Sequence, residues 1–597
     1  MRTPWIMDRV SASNQSQVRL ERSLGLLREV WKVGRVTIRV DGEASDWPRL
    51  EMDESFALQA RSDSVEVDAA TVWGAMRALS RVAEMVDAGG RLPDANMKDA
   101  PRYAWRGLML DPARRFLSIQ ALKRTLLGMW AYRLNILHLH LSDDQGLRLA
   151  IEGRTPPWPH YQRDELCELV TFAAELGIRV VPEIDLPSHA TALLALCPEL
   201  AKGQAPAAPS RAFGVHQAYV DCERTAVREA IARIIAELVG IFPDMYIHLG
   251  GDECEDYSQP DDFAEFLVDT ASRHGKRVIF WDEALAANLP LEACVQAWRH
   301  PKFLSAARSQ GHASILSAPY YLDLIFPPEV HHAFDPDADN KMAQAALLHH
   351  PSLAGVRAAL EWYEVRTAPL ADVFEGVETG PVLGGEACLW GELVGEDQLD
   401  TRLWSRMPAI ASRLWSGQAS VLPERAQTDA HLRRIAGIRV GADAWLETLD
   451  LSSLEREHFS VLLASLEPVK WYARLLGDAM IERIEDRIES AARPYSVDSP
   501  LDRPVDFVDP ESQEALRFAR AKDKREFAVR WRAQYPVIKK IAERMPQVRE
   551  ILPLSERLAD LADVVSGHMT LAEFRQKHDQ SPVAELNLAL LSQLDGR

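Results

Sequence analysis

The chain has 597 residues, 47% of them apolar, and a formal net charge of −20, so it is long enough for two or three domains with sizeable cores. That charge repels phosphate backbones and anionic lipid, which excludes nucleic-acid and membrane-surface binding and favours a neutral or cationic small-molecule partner. The six cysteines show no Cys-x-x-Cys spacing, which predicts reduced thiols rather than a disulfide frame or a zinc site.

The start, MRTPWIMDRVSASNQSQ, has no sustained apolar core of a leader, and no later run is apolar enough to span a bilayer; a cytoplasmic protein is the expectation. Short alternating runs, VTIRV, SFALQA and SVEVDA, precede an amphipathic TVWGAMRALSRVAEMV. They predict a small α+β domain over 1–100. Strand-like RGLMLD, LNILHLHLSD, IRVVPEID, MYIHLGGDE, RVIFWDEA, CVQAW, ASILSA and VLGGEACLW then alternate with helix-like SIQALKRTLLGMWAYR, ELCELVTFAAELG, REAIARIIAELVG and PKFLSAARSQ. Eight apolar strands with intervening helices predict a (β/α)₈ TIM barrel over 101–422, an α/β fold. Charge-laced EHFSVLLASLEPVKWYARLLG, MIERIEDRIESAAR and REFAVRWRAQYPVIKKIAERM predict a helical region over 423–597.

In such a barrel the chemistry sits at the C-terminal strand ends. Each end here carries a polar or aromatic group: Asp111 and Arg114, Asp143 and Asp144, Asp185 and His189, Asp252 and Glu253, Trp281 and Asp282, Trp298, Tyr321 and Asp323, then Glu386, Trp390 and Glu392. Carboxylates, an arginine and aromatic rings on one face suit a sugar, whose C–H surfaces stack on rings while its hydroxyls bond to acids. His138 and His140 share one strand face, a spacing that metal-dependent barrel hydrolases use. Only His189 supplies a further ligand at a later strand end, so neither metal nor cofactor is expected.

Asp252 and Glu253 are neighbours after a Gly-Gly bend. Adjacent strand residues point to opposite faces, so the two do not flank a glycosidic bond at the roughly 5 Å of a retaining carboxylate pair. They suit a substrate with a 2-acetamido group as internal nucleophile: one acid protonates the leaving group and the other holds the acetamide N–H.

The ordered set RGLMLDPARRF, LNILHLHLSDDQG, VVPEIDLPSHA, HLGGDE, WDEA, YYLD, GGEACLWGE and RLWSRMPAIASRLW resembles glycoside hydrolase family 20, the β-N-acetylhexosaminidases. The resemblance implies an exo-acting retaining enzyme on terminal β-linked GlcNAc or GalNAc, with Glu253 as general acid/base and Asp252 orienting the acetamido group. It places Tyr321 on the acetamide oxygen and Arg114, Glu392 and Asp323 on the sugar hydroxyls. Trp281, Trp298 and Trp390 become pocket walls, and Asp143, Asp185 and His189 the network beside the acid. Three positions depart from the family pattern: Leu147 and Phe334 where tryptophan is usual, and Ser188 where glycine is. The rival class is a non-catalytic amino-sugar-binding barrel, which would keep the rings and lose the acid. Oligomeric state is not legible.

Overall fold

The computed structural model describes residues 6–11, 14–32, 34–42, 45–212, 214–254, 262–287, 289–374, 376–470 and 498–594. Its first unit is a five-stranded mixed sheet. Arg35–Val40 lies between Ile6–Ser11 and Ser64–Ala69, both parallel to it, and Phe56–Arg61 pairs antiparallel with Ser64–Ala69 and Ala95–Asp99. The alternation read from SVEVDA and FALQAR is the alternation of buried and outward residues. The two strands that the sequence pattern did not show, Ile6–Ser11 and Ala95–Asp99, are the sheet's edges. The second of these, ANMKD, has no fully buried residue and so carries little apolar signal. Helix Val72–Met85, capped by the Thr71 side chain, is buried along most of its length between this sheet and the barrel.

Eight parallel strands then close a barrel in chain order: Trp105–Leu110, Ile136–His140, Arg179–Leu186, Tyr246–Gly250, Arg277–Trp281, Cys294–Ala297, Ala313–Leu316 and Val382–Leu389. These are the eight strands predicted from the apolar runs. Their inward side chains fill the barrel in layers. Trp105, Ile136, Val181, Tyr246, Ile279, Cys294 and Ile315 form an apolar floor. Two residues further along the strands, the floor gives way to His138, Glu183, His248, Trp281 and Gln296, all buried. Between the seventh and eighth strands the chain makes an excursion that includes helices Lys341–Leu348 and Arg357–Thr367, which the sequence reading did not assign.

Beyond the barrel, helices Ser453–Ala464, Arg525–Arg544 and Leu552–Val565 enclose a separate core with Trp445, Phe459, Trp531 and Leu558. Leu466–Pro468 and Leu586–Leu588 form a small antiparallel ladder there, where the LEPVK segment had been read as helical. MIERIEDRIESAAR lies outside the described residues. Among the described residues no helix is long and apolar enough to cross a membrane, and none of the six cysteines forms a disulfide.

Candidate active site

The fourth strand ends at Gly250, where the backbone turns through positive φ at Gly250 (72°) and Gly251 (94°). A Cβ at Gly250 would sit 2.1 Å from Asp185 Oδ1. Glycine is therefore required both by conformation and by close approach of the third strand's acid. The turn leaves Glu253 itself in the left-handed region, at φ 48°, and His189 opposite it at φ 49°. Non-glycine residues held there store backbone strain of about 1–3 kcal/mol each. His189 Nε2 lies 3.0 Å from Glu253 Oε2 and 3.7 Å from Asp252 Oδ2.

The two neighbouring acids have opposite environments. The Glu253 side chain is 35% exposed and opens to the barrel mouth. Asp252 is buried and its Oδ1 has no hydrogen-bond partner among the described residues. Burial pushes the Asp252 carboxyl up to about 7, with Glu253 and Glu183 adding to the rise and His189 opposing it. Beside it neither oxygen of Asp185 has a hydrogen-bond partner among the described residues, and burial together with Asp252 and Glu183 keeps that acid well above the usual range.

Arg114 organises the other side of the mouth. It pairs with Asp143 at 2.8 Å, Asp111 at 3.1 Å and Glu392 at 3.4 Å, and its guanidinium stands 4.9 Å from the Trp390 ring centroid. Trp390 stacks on Tyr321 (centroids 6.4 Å apart, 14° between planes) and meets Trp281 at 5.8 Å; Tyr321 meets Trp298 edge-on at 6.4 Å. The rings from four strand ends thus make one continuous wall. For Asp143, burial is outweighed by Arg114 and His189, which hold its carboxyl well below the usual range. For Asp323 burial prevails, with Glu392 adding, and the carboxyl is raised. Of the residues named at the strand ends, the structure brings together Arg114, Asp143, His189, Asp252, Glu253, Trp281, Trp298, Tyr321, Asp323, Trp390 and Glu392.

Other groups were missed or misplaced by sequence reasoning. Glu386 is not at the mouth. It is fully buried and accepts from Trp105 Nε1 and Gln296 Nε2, with His138 Nδ1 at 2.7 Å. Glu183, read only as part of a strand, accepts from Trp281 Nε1 at 2.8 Å and lies 2.5 Å from His140 Nδ1, with His138 Nε2 at 3.1 Å and His248 Nδ1 at 2.9 Å. Glu283 was passed over inside WDEA, yet its Oε2 accepts the Glu253 backbone N–H at 3.0 Å. Phe334 stands among the buried core residues. It is fully buried, and its carbonyl accepts the Tyr320 hydroxyl. Ser188 braces the turn, its hydroxyl donating to the Asp252 carbonyl. Leu147 is buried beside Trp158, whose indole N–H donates to its carbonyl.

Three donor clusters lie close enough to surround an ion: His138–Glu183–His248, His140–Asp143–Asp185 and Asp143–Asp144–His189. Their histidines lie against carboxylates. Both nitrogens of His140 face carboxylates. Burial acts against its charge and that of His138, but Glu183 in the first case and Glu386 with Glu183 in the second outweigh it, raising both and His138 to about 9.

The pattern of glycosyl hydrolase family 20, catalytic domain, matches residues 103–262 and 255–418, the span that builds this barrel and its mouth. The chain belongs to glycosyl hydrolase family 20. A β-N-acetylhexosaminidase of Cellulomonas fimi is 30% identical over 395 residues, covering 61% of this chain and 74% of that one. The β-hexosaminidase α subunit of Rattus norvegicus is 29% identical over 420 residues, or 63% and 73% of the two chains. In fold, the solved chitobiase of Flavobacterium johnsoniae superposes with a TM-score of 0.81 at 23% identity, covering all of this chain and 96% of that one. The chitobiase thus shares the fold of this chain.

Proposed function

We propose that this protein is an exo-acting, retaining β-N-acetylhexosaminidase that releases terminal β-linked GlcNAc or GalNAc by substrate-assisted catalysis. The observation that carries the reading is the divergence of two adjacent acids: Glu253 open to the mouth, Asp252 buried with one oxygen that has no partner among the described residues. A buried acceptor of that kind fits the acetamide N–H. Tyr321 would donate to the acetamide oxygen, and Trp281, Trp298 and Trp390 would enclose the methyl and ring. Arg114, Glu392 and Asp323 would take the ring hydroxyls.

As the acetamido oxygen closes on C1, Glu253 gives its proton to the leaving oxygen, and a positively charged oxazolinium forms. Asp252 stabilises that charge in a site from which water is excluded, where fixed charges act most strongly. Water then attacks C1 with the Glu253 carboxylate as base, so the anomeric configuration is retained. Asp143 and His189 tie Arg114 and the acid into one network.

Assay of 4-nitrophenyl β-N-acetylglucosaminide against the matching β-glucoside tests this reading. Turnover of the first, with kcat for the second at least about 10³-fold lower, is the expected result. Binding without turnover would establish the amino-sugar-binding alternative, and comparable rates would remove the acetamido group from the mechanism.

A further inference from the structure

We infer that the helical C-terminal region takes part in sugar binding: Arg115 fastens its segment 499–506 to the loop 390–395 and through that loop positions Glu392. This rests on the proposed function, in which Glu392 takes a ring hydroxyl. The neighbouring arginines Arg114 and Arg115 serve different partners. Arg114 turns its charge to the carboxylates of the mouth, Asp111, Asp143 and Glu392. Arg115 serves backbone carbonyls, donating from Nε to Glu392 O at 3.1 Å and from Nη2 to Ser499 O at 3.1 Å. A guanidinium is a rigid planar fork, so it holds those two carbonyls at a set separation.

A second fastening comes from Gln398, buried in helix Glu396–Trp404. Its Oε1 accepts the Gly395 N–H at 3.1 Å, and its Nε2 donates to the Leu501 carbonyl at 2.8 Å. Leu501 packs over Gly395, where a Cβ would stand 3.5 Å from its Cδ1. Further along, Arg402 Nη2 donates to the Val505 carbonyl at 2.9 Å. Side chains of the barrel thus satisfy three backbone carbonyls of the segment. From the inner side the same loop is held by Asp111, which accepts the Gly391 N–H at 2.8 Å, and by Arg114, 3.4 Å from Glu392 Oε1. Glu392 therefore sits on a loop held from two sides, and the outer hold leads to another unit of the chain. Without it the carboxylate can shift relative to the sugar, and misplacement on the scale of about 1 Å costs an enzyme up to about 10²-fold.

The test is kcat and KM of the full chain on 4-nitrophenyl β-N-acetylglucosaminide and on its 3-, 4- and 6-deoxy analogues. Glu392→Gln first identifies the hydroxyl that Glu392 takes, as the one whose removal makes that variant equal to the wild type. Arg115→Ala should raise KM for the parent substrate about tenfold while kcat stays within about threefold. On the analogue lacking that hydroxyl its effect should shrink to less than about twofold. Equal losses on parent and analogue would make Arg115 merely structural and overturn the inference. Gln398→Ala and Leu501→Ala loosen the segment without touching Arg115 and should raise the parent's KM at least about twofold. Unchanged KM in both would take the C-terminal region out of sugar binding, even if Arg115→Ala does not fold. If Glu392→Gln singles out no analogue, Glu392 leaves the hydroxyls and the inference falls with it; no turnover of the parent by the wild type sinks the proposed function itself.

Discussion

Two buried carboxylates, Glu54 and Asp252, show how one barrel uses the same group in opposite ways at its two ends. Glu54 sits where the N-terminal sheet joins the barrel. Its Oε1 accepts from Arg77 at 2.6 Å and Arg106 at 2.7 Å, and its Oε2 from Asn135 at 3.2 Å. Arg77 continues to the carbonyls of Leu176 and Gly177, so the cluster clamps the two units together. Burial alone would raise the Glu54 carboxyl, but Arg106 and Arg77 outweigh it and hold it below its usual value. Among the described residues no arginine pairs with Asp252; burial prevails and its carboxyl rises to about 7. The satisfied acid holds the structure, and the unsatisfied one is left for a ligand.

The signs of the two pH effects therefore differ. The depressed Glu54 contributes stability that is fully present above the unfolded carboxylate value and is lost as pH falls through the folded one. The raised Asp252 binds its proton more tightly folded than unfolded, so it costs stability as pH rises from about 4 toward 7. A site that keeps an acid in this state gives up stability for chemistry.

The largest expected effect is at the mouth. Glu253→Gln keeps the shape and removes the proton donor, and should lower kcat about 10²–10⁴-fold for alkyl or sugar aglycones but much less for dinitrophenyl ones. Equal losses on every leaving group, in a series of aryl glycosides, would count against Glu253 as the acid. At the opposite end Glu54→Gln leaves Arg77 and Arg106 buried without their anion. It should destabilise the fold by about 3–5 kcal/mol in denaturant unfolding, while the folded protein keeps its kcat. A large kcat loss at unchanged stability would erase the contrast between the two acids.

Asp252→Asn should reduce kcat about 10²–10³-fold, the scale of losing one preorganised charge partner, without destabilising the fold. Its binding of a thiazoline mimic of the cyclic intermediate should weaken far more than its binding of product sugar, measured as inhibition constants. The smallest effect is a displacement along the pH axis. His189 is the group that opposes the rise of Asp252, so His189→Gln should move the acidic limb of kcat/KM to higher pH. An unmoved limb, or one moved to lower pH, would mean that a different group sets it.

Much of this was legible because the physics repeats along the chain. The eight barrel strands announced themselves as apolar runs buried on both faces, and the groups just beyond them had to share one rim. Glu54 was not legible: it is a single acid in a loop, and only the fold brings Arg77 and Arg106 to it. Glu183 and Glu386 were obscured by their apolar neighbours, since a strand pattern does not tell which layer of a barrel interior an inward residue reaches. Lys341–Leu348 and Arg357–Thr367 were missed because few of their residues are buried, so periodicity is weak.

The central claim is that the substrate's own acyl oxygen is the nucleophile and that Asp252 supports it. Its most direct test is kcat/KM across N-acetyl, N-fluoroacetyl, N-difluoroacetyl and N-trifluoroacetyl 4-nitrophenyl glucosaminides, in which fluorine weakens that oxygen with little change in size. The account predicts a steep, progressive fall with each fluorine in the wild-type protein. A flat series, or a covalent sugar ester trapped on Asp252 or Glu253, would contradict it.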